Sequence, residues 1–201
     1  MSTVNLERRS PARDPWLKPS MKLTYEDFLH FPDDGRRHEL LDGEHVVTPS
    51  PFLRHQVAVG NLHLSLGNHL RGRKLGRLFL APFDIVLSPH DVVEPDLLYL
   101  GQDRLDRITE KNVQGSPDLA IEVLSSSTRG RDRTIKRRIY RKFGVREYWM
   151  VDTKALEVTV VRFAGSPRRR DEEIVLGAAD RLTSPLFPEW SMAVAEVFSD
   201  E

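Results

Sequence analysis

Cysteine is absent from the 201-residue chain. That excludes disulfides, thiolate metal centres and a cysteine nucleophile. It also suits a reducing compartment, so a cytoplasmic protein is expected. Net charge is missing too, because 30 Lys and Arg balance 30 Asp and Glu. Any polyanion must therefore be held by a local basic patch, not by the field of the whole molecule. No apolar run approaches the roughly 20 residues of a membrane-spanning helix, so no membrane partner is expected. There is no Gly-rich phosphate loop, zinc-ligand spacing or nucleophile elbow. Residues 1–20 carry mixed charge and three prolines, without the apolar centre of a signal peptide. They read as a flexible arm ahead of a single domain spanning 21–201.

What is present suits a soluble, core-forming chain: 39% hydrophobic and 30% charged residues. Thr24 caps a short helix, with Asp27 at the capping-box position. Asp42-Gly43 between two β-capable runs predicts a hairpin. The spacing predicts a long helix over 57–75, with Val57, Leu62, Leu66 and Leu70 on one side. Strands are expected at 77–80 and 83–87, and the stretch 92–100 contains another, at 94–100. A short apolar strand, Leu119 to Leu124, follows, and then a helix over 131–143 with Ile135, Ile139 and Phe143 as its apolar face. Further strands are expected at 147–151, 157–163 and 172–176. Hairpins flanking a strand–helix–strand crossover point to an α/β (α+β) fold, a mixed β-sheet flanked by helices.

The chain is organised around that strand at 119–124, because one residue breaks its apolar run: Glu122. A carboxylate in a dry strand is expensive unless it is paired or binds a metal. Asp96 follows Pro95 at the entry to an upstream strand, and carboxylates on adjacent strands can share a divalent cation. Lys136 lies beside the apolar face of the following helix, with Tyr140 one turn on. There it could orient an attacking water or pair with the buried acid. Glu39, in the early hairpin, is a possible further acid. Arg129, Arg131, Arg133 and Arg137 crowd the helix, and Arg71 and Lys74 form a second basic group. Such clusters suit a phosphate backbone, or a solvated face balanced by acids elsewhere. His55, near the start of the long helix, is the one histidine that stands out. Three readings stay open on the residues alone: a metal-dependent nuclease, a non-catalytic nucleic-acid- or partner-binding module, and a buried Glu122–Lys136 pair with a purely structural role.

The ordered set His38-Glu39-Leu40-Leu41-Asp42-Gly43-Glu44, Glu94-Pro95-Asp96-Leu97, Ile121-Glu122-Val123-Leu124-Ser125, Asp132, Lys136, Tyr140 and 144–152 resembles the Uma family of proposed restriction endonucleases, within the PD-(D/E)XK nuclease superfamily. The likeness covers roughly residues 25–198. It implies a restriction-endonuclease-like core, DNA as partner, and phosphodiester hydrolysis with Mg²⁺ or Mn²⁺ on Asp96 and Glu122. Glu39 matches the acid of the family's first motif. Two residues after Glu122, where the superfamily has a lysine, this chain has Leu124, and Lys136 on the next helix is the natural substitute. Cutting both strands favours a homodimer.

Overall fold

The computed structural model describes residues 21–166 and 168–200, so the arm expected at 1–20 lies outside the described residues. Helix α1 (Tyr25–Phe28) starts at the expected capping box: Asp27 N–H donates to Thr24 Oγ1, and Thr24 N–H donates to the Asp27 carboxylate. Strands β1 (Arg37–Leu41) and β2 (Glu44–Thr48) form the predicted hairpin. Asp42 and Gly43 both adopt positive φ, 55° and 80°, as a tight hairpin turn requires.

Helix α2 runs Leu53–Leu70, several residues earlier at both ends than the periodicity predicts. It begins two residues after Pro51, with Phe52 as N-cap, and it ends where Arg71 leaves helical geometry ahead of Gly72 at φ +74°. Strands β3 (Gly76–Leu80), β4 (Ile85–Ser88), β5 (Asp91–Val93) and β6 (Leu97–Gly101) follow. The strand expected at 94–100 starts only at Leu97, after Pro95, which cannot donate to a ladder, and the residues before it form the separate β5. After β7 (Val113–Gln114) and β8 (Leu119–Leu124) comes one helical passage: α3 (Arg129–Arg131), a π-helical turn (Asp132–Lys136) and α4 (Arg137–Lys142). Strands β9 (Glu147–Asp152), β10 (Glu157–Arg162), β11 (Glu172–Leu176), β12 (Arg181–Leu182) and β13 (Met192–Ala193) lead to helix α5 (Val194–Val197).

Two mixed sheets result. The larger has the order β11-β10-β9-β8-β6-β3, and the smaller β2-β1-β5-β4-β7. In the larger sheet β8 and β9 are parallel, joined by the helical passage, and the remaining pairs are antiparallel. The period of two along β8 divides the cores. Leu119, Ile121 and Val123 pack with α2, Trp149, Phe187 and Trp190 on one face. Ala120 and Leu124 face the other, with Leu41, Ile85, Leu98, Tyr140 and Tyr148. Glu122 shares that second face by parity, between the two sheets.

Candidate active site

Register alone brings the two acids together. Strands β6 and β8 pair antiparallel, with Leu97 opposite Ile121 and Leu98 opposite Ala120. One step further along the same register sets Asp96 opposite Glu122. Both carboxylates line a cleft of about 760 Å³, together with Glu39, Asp132 and Lys136. Glu39, Asp96, Glu122 and Lys136, the four predicted catalytic residues, are all buried there.

Lys136 is the hub. Its Nζ donates to Glu122 Oε1 at 2.7 Å and stands 2.8 Å from Glu39 Oε1. Tyr140 Oη donates to the same Glu122 oxygen at 2.9 Å. Burial disfavours the ammonium, but Glu122, Glu39 and Asp132 outweigh it and hold Lys136 charged, above the ordinary lysine range. Burial pushes the Glu122 carboxyl well above its usual range; Lys136 opposes this, while Asp132, Asp96 and Glu39 add to it. The buried face of the helix differs from the one predicted. It runs Asp132, Lys136, Ile139 and Tyr140, while Ile135 and Phe143 are only partly buried. The carboxylates of β1 and β8 give Lys136 partners, which lets a charged residue take an interior position.

Asp96 is held differently. Its Oδ1 accepts from Arg37 Nη1 at 2.5 Å, and its Oδ2 accepts from Val123 N–H at 2.8 Å and lies 3.0 Å from His55 Nε2. Burial pushes this carboxyl up, but His55 and Arg37 outweigh burial and bring it down to about 2. Asp96 is therefore ionised at neutral pH. Arg37 Nε also sits 3.1 Å from Glu94 Oε1. Burial nonetheless pushes Glu94 up to about 7, against Arg37 and with the help of Asp84 and Glu39. Glu94 N–H donates to Glu39 Oε1 at 2.9 Å, extending the β1–β5 contact of the smaller sheet beside the acids.

The donor set suits a hard divalent cation. Buried carboxylates at Glu39, Glu94, Asp96, Glu122 and Asp132 outnumber the cations Arg37 and Lys136. The bonds on Glu122 from Lys136 and Tyr140 both fall on Oε1, and those on Glu39 from Lys136 and Glu94 both fall on Oε1, which leaves the second oxygen of each carboxylate outside them. Among the described residues, however, no three His, Asp or Glu side chains stand close enough to grip an ion as they are now paired. Lys136 and Arg37 sit where a cation's charge would act.

The expected nucleic-acid contacts divide. Arg129 lines the cleft, but it forms a two-pronged pair with Asp152 at the end of β9, with Nη2 to Oδ1 at 2.7 Å and Nη1 to Oδ2. Arg133 stands 3.5 Å from the same carboxylate. Arg137 pairs with Glu173 at 2.7 Å and, like Arg131, does not line the cleft. Arg71 and Lys74 lie beyond the far end of α2, and 18 helical residues span about 27 Å, so the structure does not bring them to the acids. Arg54 and Lys154 line the cleft with no ion pair among the described residues, and the sequence reading did not select them. It also missed Arg37, Glu94 and Asp132 as site residues. Arg37 and Glu94 each lie two residues before a selected strand acid, and Asp132 lies four before Lys136. The periods of strand and helix could have found all three.

Fold and site thus describe an α/β protein with an acid-rich cleft at the seam of two mixed sheets. The crystal structure of "a putative nuclease belonging to DUF820" from Anabaena variabilis superposes with a TM-score of 0.73 over 88% of this chain and 97% of that one, at 20% identity. At that identity the likeness shows the fold. The family model described as "Uma2: Putative restriction endonuclease" matches residues 25–195, and the chain belongs to that family. No curated protein matches the sequence.

Proposed function

We propose that the protein is a metal-dependent endonuclease that hydrolyses phosphodiester bonds in DNA. The observation that carries this reading is the β6–β8 register, which sets Asp96 opposite Glu122 on one face, with Lys136 bonded to Glu122. Family membership and fold support the same class of reaction. Asp96 and Glu122 would hold Mg²⁺ or Mn²⁺, with Glu39 completing the shell. Bound there, the ion supplies Lewis acidity at the phosphoryl oxygen and a more acidic water.

The protein's own groups set up that chemistry. Arg37 and His55 keep Asp96 ionised and fix its rotamer. Lys136, held charged, places a positive group beside Glu122 where charge builds up on the scissile phosphate. Arg54 and Lys154 take the backbone at the mouth of the cleft. A homodimer, presenting one such cleft to each strand, is part of the proposal. The alternative, a binding module that has lost cleavage, draws on the Arg37–Asp96 and Lys136–Glu122 pairs, which already neutralise the acids.

The experiment is a plasmid-nicking assay with Mg²⁺ or Mn²⁺, run beside Asp96→Asn and Glu122→Gln. Cleavage by the wild type and its loss in both variants is expected. DNA that binds but stays intact supports the module. Cleavage that survives both substitutions refutes the site.

A further inference from the structure

Asp132 is only 1% exposed and lines the cleft, yet its Oδ1 has no hydrogen-bond partner among the described residues. The nearest cation, Lys136 Nζ, is 4.0 Å away and already engaged by Glu122 and Glu39. The residue itself is firmly placed. Its N–H donates to Thr128 O at 2.9 Å, and its carbonyl accepts from Tyr148 Oη at 3.1 Å. The Thr128 side chain and Lys136 offset part of the cost of burying this carboxylate, yet its Oδ1 stays without a hydrogen bond in the interior.

Local geometry points the same way. Asp132 and Lys136 are the buried residues of the π-helical turn that joins α3 to α4. Such turns recur at functional sites, because the extra residue re-aims side chains that a regular helix would place elsewhere. Around Lys136, three carboxylates face a single ammonium. The cluster is short of positive charge on the side where Glu122 opens to the cleft. The oxygen of Asp132 is a hard donor, of the kind Mg²⁺ and Mn²⁺ take and softer ions do not.

We infer that Asp132 is a further ligand of the divalent cation, supplying its bare Oδ1 to the coordination shell on the Glu122 side. This rests on the nuclease reading only in placing the ion between Asp96 and Glu122. Uptake of the ion would part Lys136 from these carboxylates, because as now paired no three acids among the described residues stand close enough to grip it.

The test uses the full chain, wild type and Asp132→Asn, titrated with Mn²⁺ by calorimetry and melted with and without the ion. Without metal, Asp132→Asn melts at or above the wild type, because a bare buried charge is gone. Its Mn²⁺ affinity falls by at least the roughly 10-fold that loss of a mere outer-shell partner costs, and the rise in melting temperature on adding Mn²⁺ shrinks with it. A structural role predicts the reverse pattern, a lower metal-free melting point with unchanged Mn²⁺ affinity, and that result overturns the inference. Should Asp132→Asn fail to fold, Asp132→Ser, which leaves room for a water, is read by the same criteria. Wild-type uptake in Asp132→Asn with none in Asp96→Asn overturns the inference and leaves the nuclease reading standing. A wild type that takes up no Mn²⁺ overturns both.

Discussion

Replacing Lys136 with methionine keeps the aliphatic stem and removes the charge at the hub of the site. Lys136 is 4% exposed, and its ammonium bonds Glu122 at 2.7 Å and approaches Glu39 at 2.8 Å. Without it, the buried carboxylates of Glu39, Glu122 and Asp132 face one another with no cation between them. Removing one partner of a buried ion pair costs about 3–5 kcal/mol. With a urea slope of about 2 kcal/mol per molar, the unfolding midpoint should drop by about 2 M. The pH dependence fixes the cause. Glu122 titrates in the fold well above its ordinary value of 4.5, so between those values the folded state binds more protons than the unfolded one, and stability falls as pH rises. Loss of Lys136 raises the folded value further. The deficit should therefore be largest on the alkaline side and shrink on acidification toward the ordinary carboxylate range. Urea unfolding followed by tryptophan fluorescence, with buried Trp149 as reporter, measures this across neutral and mildly acidic pH. The double variant Lys136→Met, Glu122→Gln should recover part of the loss. A deficit that is flat with pH, or that grows on acidification, would refute the charge argument and leave packing as the explanation.

Glu94 offers a second test of the same physics. Burial, opposed by Arg37, raises its carboxyl to about 7 from an ordinary 4.5, so its ionisation destabilises the fold as pH climbs through that window. Glu94→Gln should gain up to about 3 kcal/mol above the window and nothing below it, as read by urea midpoints at both ends. Two glycines separate strain from collision. At Gly144, φ is +77° and an added Cβ meets nothing within 4 Å, so Gly144→Ala should cost about 1–2 kcal/mol. At Gly76 the same atom would stand 2.1 Å from Leu100 O, so Gly76→Ala must part β3 from β6 and should lower the melting temperature further than Gly144→Ala does. For DNA binding, Arg54→Ala and Lys154→Ala should each reduce the slope of log affinity against log salt by about 1. Arg137→Ala, already paired with Glu173, should leave that slope unchanged.

The core strands were legible because their patterns are local. The run Leu119–Leu124, apolar but for Glu122, announces a strand buried on both faces, and that one acid is conspicuous inside it. The hairpin at Asp42-Gly43 and the crossover from β8 to β9 are likewise written in turn chemistry and spacing. The nearness of Asp96 to Glu122 was expected from acids on two neighbouring strands, and the β6–β8 ladder, extended one step past Leu97–Ile121, sets the two positions opposite. The occupants of the space around those acids were less legible. Arg37 comes from the other sheet, and no local feature says that its guanidinium crosses the seam to Asp96. The basic helix misled for a related reason. A run of arginines looks like a surface for phosphate, but the acids that neutralise Arg129 and Arg137 lie on β9 and β11, far along the chain. Net charge sums these pairs without showing which side chains meet.

The seam between the sheets has a consequence for how the molecule fails. Glu39 and Arg37 belong to the smaller sheet, Glu122 to the larger with Asp96 just ahead of its β6, and Lys136 to the helix leaning on both. Their alignment is thus a gauge of the interior at Leu41, Leu98 and Tyr148. A trimmed side chain there lets the two layers slide before either unravels, and the acids drift out of line while the protein still looks folded by its bulk spectrum.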